Sequence, residues 1–113
     1  MEFPDLGNID RITREVFRER SRQVSHEGYD TAHDDGHVDG DLAKAAACYI
    51  HWGAGSRVRH RTAPADWPWD DASWKPKNPR TDLIRAAALI VAEIERLDRQ
   101  AERQDAEAGR HDG

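Results

Sequence analysis

The sequence predicts an all-α fold: a three-helix domain with one long ordered Trp-rich loop, stabilised as a homodimer or higher homo-oligomer. Three observations predict it. Apolar residues recur at helical spacing in three separate segments. The 113-residue length fits one domain and leaves no room for a second core. Ile, Leu, Val and Phe together supply only 18 of the 113 residues, so the core is thin, while four Trp and many Ala argue for order and close helix approach. A thin core gains stability by burying further surface against a second copy.

The first helix is expected over residues 9–26. Ile9, Ile12, Val16, Phe17 and Val24 fall on one face, with Arg and Glu on the other; Asn8 is a candidate N-cap and Gly28 a candidate stop. The segment HDDGHVDGD at 33–41 reads as an acidic loop, because Gly36 and Gly40 interrupt any helical pattern. Asp39 or Asp41 then caps a second helix carrying Leu42, Ala45, Ala46, Tyr49 and Ile50 on one stripe and ending near residues 53–55. From Gly53 to Asn78 there is no periodicity, and a connection of that length is uncommon unless it binds something or packs as a lid. The third helix opens at NPRTDLIR, where Asn78 or Thr81 caps and Pro79 suits the first turn. Its stripe of Leu83, Ile84, Ala87, Ala88, Val91, Ile94 and Leu97 is the strongest periodic signal in the chain. The domain is therefore expected over 1–99, followed at 100–113 by a charged C-terminal tail that frays.

Composition excludes several classes. A formal charge of −5 argues against a duplex DNA reader, which normally carries excess Lys and Arg. No apolar run approaches a membrane span and the N-terminus lacks signal-peptide character, so no membrane partner is expected and the location is cytosolic. The single Cys48, in AAACYI, reads as a small buried side chain.

The stretches ERSRQVSHEGYDTAHDD, GDLAKAAACYI, WPWDDASWKP and RTDLIRAAALIVAEIERLDR together resemble a family of small helical proteins encoded in phages, prophages and their bacterial hosts. The resemblance spans Glu19 to Arg99 and implies a phage setting, with the cytosol of a host cell as the location. Some relatives are grouped with the nucleotide pyrophosphohydrolases, which implies a link to nucleotides. In the all-helical enzymes of that kind, ExxE and ExxD motifs on two helices collect Mg²⁺ against substrate phosphates. Glu95 and Asp98 form an ExxD here, but there is no ExxE; the first helix offers Glu15 and Glu19, four apart.

Two constellations carry chemistry. Arg57, Arg59 and Arg61 precede Trp67 and Trp69, and Trp74 precedes Lys75, Lys77 and Arg80 at the start of the third helix. A helix N-terminus ringed by cations favours a phosphate, and an indole face stacks on a base. Arg22 and Tyr29, at the end of the first helix, would enclose a shared site with the Trp loop of a second copy if the chain dimerises. The alternative is that the Trp residues fill the core and the cations pair with carboxylates. In the acidic loop, Asp34 and Asp35 with Glu95 and Asp98 would hold Mg²⁺ if the chain were a hydrolase; the plainer reading is a helix-capping, Arg-pairing loop that needs no cofactor. These features point first to a binding protein that captures, or sequesters, a phosphorylated nucleotide or similar anionic small molecule as a counter-defence device. The alternatives are a Mg²⁺-dependent nucleotide pyrophosphohydrolase and a protein–protein inhibitor with no small ligand.

Overall fold

The computed structural model describes residues 4–55 and 62–111. Among them the architecture is all-α: α1 (Leu6–His26), α2 (Thr31–Asp35), α3 (Asp41–Cys48) running on into a π-helix (Tyr49–Ala54), a 3₁₀ turn (Asp71–Ser73), and α4 (Pro79–His111). No helix among the described residues is long and apolar enough to cross a membrane.

α1 starts one turn earlier than the apolar pattern suggests. Asp5, not Asn8, is its N-cap, its carboxylate accepting from the Gly7 and Asn8 amides at 2.8 and 3.2 Å. At the other end Gly28 takes φ +75°, which lets the Tyr29 amide turn back to the Gln23 carbonyl at 2.9 Å. The acidic segment is not a plain loop. Asp30 caps a short α2 by accepting from the His33 amide at 2.9 Å, so that His33, Asp34 and Asp35 sit on a helix that closes at Gly36. This gives four α-helices where three were expected. The capping expectation for α3 is also corrected: Gly40, with φ +80° and no side chain, is the N-cap, and Asp41 is the first helical residue.

α4 begins as its sequence suggests. Asn78 Oδ1 accepts from the Thr81 amide at 2.8 Å, and Pro79 occupies the first turn where no donor is needed. The helix then continues to His111 through the segment expected to fray.

The core lies between α3, its π-helical extension and α4, and the Trp loop lids it. Leu42, Ala45, Ala46 and Tyr49 meet Ala86, Leu89 and Ala92, with Trp67 and Trp74 packed over them. Alanine on both sides lets the two helices approach closely. One consequence reverses the plain reading of α4. The face turned to the core carries Asp82, Ala86, Leu89, Ala92 and Arg96, while Leu83, Val91, Ile94 and Leu97 from the strong periodic stripe stand 39–53% exposed.

Candidate functional site

The Trp loop separates into a structural part and an edge. Trp67 and Trp74 are buried, and their rings surround Tyr49 with centroids 5.5 and 4.8 Å from it. The Trp67 indole donates to the Asp70 carbonyl at 3.1 Å, and the Tyr49 hydroxyl accepts from the Lys75 amide at 3.2 Å. These contacts hold the loop down on α3. They leave neither ring a free face for a base.

The cations gathered at the start of α4 already hold carboxylates. Lys75 Nζ lies 2.8 Å from Glu27, Arg80 grips Glu15 in a two-pronged pair at 2.6 and 3.0 Å, and Arg22 bridges Glu19 and Glu27 at 2.7 and 2.9 Å. The Lys77 amide donates to Asp82 Oδ1 at 2.9 Å, and the exposed Lys77 side chain has no ion pair among the described residues. Together with the Asn78 cap, these contacts occupy the N-terminus of α4 from within. Arg57, Arg59 and Arg61 lie outside the described residues. Trp52, Thr62, Ala63, Pro64 and Ala65 line a mostly apolar pocket of about 360 Å³.

The acidic residues are likewise engaged. Asp34 is fully buried; its Oδ2 takes the Arg20 guanidinium at 2.7 Å and its Oδ1 lies 2.9 Å from His33 Nδ1. Asp35 joins α2 to α4 through Arg99 and Arg103 at 3.0 and 3.1 Å, and the Arg99 hydrogen bond holds its carboxyl below the usual range. Glu95 pairs with Arg20 at 3.3 Å, and Asp98 is exposed. Among the described residues, no three His, Cys, Asp or Glu side chains assemble into a group that could hold a metal ion.

At the edge of the loop the structure brings Trp69 and Tyr29, both candidates from the sequence, together with two histidines. Trp69 meets Tyr29, His33 and His37 with ring centroids 4.7, 5.2 and 5.6 Å away, and the two imidazoles lie 4.4 Å from each other. Each imidazole is anchored by a carboxylate at Nδ1: His33 by Asp34 at 2.9 Å, His37 by Asp41 at 2.8 Å. A carboxylate there selects the tautomer with hydrogen on Nδ1 and leaves Nε2 as the working nitrogen, with no partner among the described residues. The Trp69 indole nitrogen is buried and has no acceptor among the described residues. An indole N–H only donates, so it calls for an acceptor supplied from elsewhere. The i, i+4 spacing of the two His residues was visible in the sequence, but it aligns them only because α2 and the Gly36 turn form.

Compared with known proteins, the chain matches no family model, no curated protein and no solved structure.

Proposed function

We propose that the chain is a binding protein that captures a phosphorylated nucleotide or similar anionic small molecule, with His33, His37 and Trp69 as its receiving surface and the buried Tyr29 behind them. The observation that carries this reading is the grouping of His33, His37 and Trp69, whose Nε2, Nε2 and Nε1 atoms have no hydrogen-bond partner among the described residues. Neutral imidazoles present acceptors to the N–H groups of a base; protonated ones present donors to phosphate oxygens. Trp69, half-buried at the loop edge, supplies stacking surface. Tyr29, expected to complete the site, is instead buried against His33 and Trp69 and offers no free face. The resemblance to phage-encoded proteins fits the same reading and adds the counter-defence role. Capture is favoured over Mg²⁺-dependent hydrolysis because Glu95 is engaged by Arg20 and no metal-holding group assembles among the described residues.

Freshly purified protein analysed by native mass spectrometry is expected to retain a nucleotide mass. Titration calorimetry with nucleoside mono- and triphosphates is expected to show binding that weakens about tenfold or more in the variant His33→Gln with His37→Gln, since each lost hydrogen bond to a charged group is worth ~1.5–3 kcal/mol. Pyrophosphate release in the presence of Mg²⁺ would reject pure capture in favour of the hydrolase. A stoichiometric protein partner with no small ligand would favour the inhibitor.

A further inference from the structure

The two longest helices leave apolar surface in water where a thin-cored protein has least to spare. On α4, positions 83, 87, 90, 94, 97 and 101 follow one another at alternating intervals of four and three, carrying Leu, Ala, Ile, Ile, Leu and Ala. That is the spacing of a helix seam that meets another helix along its length. It lies away from the face that α4 turns to its own core, and among the described residues it is left half open: Leu83, Ile90, Ile94 and Leu97 are 43–53% exposed. Beside it, Phe17 of α1 is 72% exposed and, with Val16 and Val91, lines an apolar groove of about 290 Å³ between the two helices.

We infer that this face is a homodimer interface in which α4 packs antiparallel on α4 of a second copy, Ile90 of each chain opposite Ile94 of the other and Leu83 opposite Ala101. Area is the first argument. Leu83, Ile90, Val91, Ile94, Leu97 and Phe17 expose on the order of 500 Å² per chain, so pairing buries on the order of 1,000 Å² of apolar surface, the size at which an interface becomes specific. A single patch of this extent stands at the upper end of what a monomer leaves in water. Self-complementarity is the second. The seam's spacing is the same from either end, so it pairs with itself about a two-fold axis, placing Ile against Ile at the centre and Leu against Ala toward the ends. Charge fixes the direction. A parallel pairing would set Asp98 and Asp105 against their own copies, whereas the antiparallel one brings Asp105 to the neighbourhood of Arg80, still 58% exposed beside its Glu15 partner, and opposes the two helix dipoles.

Sedimentation equilibrium of the full chain over a range of concentrations tests the assembly, with a species of twice 12.8 kDa expected. The variant Ile90→Glu with Ile94→Glu is expected to associate about a hundredfold more weakly, because it buries four unpaired carboxylates per dimer. Both positions are solvent-exposed in the protomer, so far-UV circular dichroism should show its helices intact. Direction is read by cross-linking, which also decides the matter should the double variant unfold. Under oxidation Leu83→Cys mixed with Ala101→Cys forms a disulfide-linked pair, and Leu83→Cys alone does not; the native Cys48 is buried and stays out of the reaction. A wild-type chain that remains monomeric at high micromolar concentration overturns the inference, including one that instead carries a different protein on this face. A dimer indifferent to the two glutamates overturns it as well, and cross-linking of Leu83→Cys alone overturns the antiparallel register.

Discussion

At Asp34 a carboxylate stands entirely out of solvent, and its position is explained by two partners: the Arg20 guanidinium at 2.7 Å and the His33 imidazole at 2.9 Å. Removing one member of a buried pair leaves the other charged and unpaired. Asp34→Asn is therefore expected to cost about 3 kcal/mol, at the low end of such losses because Arg20 keeps Glu95 and the Tyr29 carbonyl, as urea denaturation will measure. Gly53 is a second position where one side chain decides. A Cβ there would stand 2.7 Å from Asp82 Oδ2, a buried carboxylate that also holds the Lys77 amide, and neither can retreat freely. Gly53→Ala should lower stability by roughly 1–3 kcal/mol in the same measurement, the usual cost of overpacking. The sequence marks Asp34 as a metal-holding or Arg-pairing candidate but not its burial, and does not mark the close approach at Gly53 at all. Asp34 is one acidic residue among several in HDDGHVDGD, and its burial depends on α1 delivering Arg20 from 14 positions away. Trp67 and Trp74 were easier, since an indole with no reason to face water packs on whatever core is near.

Helices were legible where one face was apolar and obscure where the faces were mixed. The Asn78–Pro79 start of α4 and the Gly28 stop of α1 follow from local chemistry, whereas α2 was hidden because its cap, Asp30, serves only five residues. The orientation of α4 could not be read from hydropathy, because alanines that let α3 approach weigh less in such a pattern than the isoleucines facing out. Between elements, Glu27 ties the loop to α1 by accepting from both Lys75 and Arg22. Burial opposes its ionisation, but those two hydrogen bonds outweigh it and hold its carboxyl below the ordinary 4.5. A carboxyl whose folded value is depressed adds stability that is present above its unfolded value and disappears as pH falls through the folded one. Wild type should thus lose stability from about pH 4.5 downward. Glu27→Gln, which lacks this contribution, should be less stable at neutral pH and show a flatter acid limb, so that the two curves converge in acid when thermal midpoints are compared across pH.

For the whole molecule the question is how a chain with so few large aliphatic residues holds together while several of them face out. Its fully buried side chains include Leu42 and Leu89 but also Gln23, Asp34 and Asp82, so part of the interior is polar and organised by hydrogen bonds and ion pairs rather than by transfer from water. Such an interior fixes geometry well and adds little net stability. The outward Leu83, Ile90, Ile94 and Leu97 are then an apolar reserve that a second copy would draw on, and in the proposed dimer folding and association would be one equilibrium. Mass action gives that coupling a measurable form: diluting a folded dimer a hundredfold weakens it against unfolded monomers by about 2.7 kcal/mol per mole of dimer. The urea midpoint of the wild-type chain should therefore rise with protein concentration, and that of Ile90→Glu with Ile94→Glu should not. A wild-type midpoint independent of concentration would mean that the protomer is self-sufficient, its stability residing in the α3–α4 alanine contact and the Trp lid.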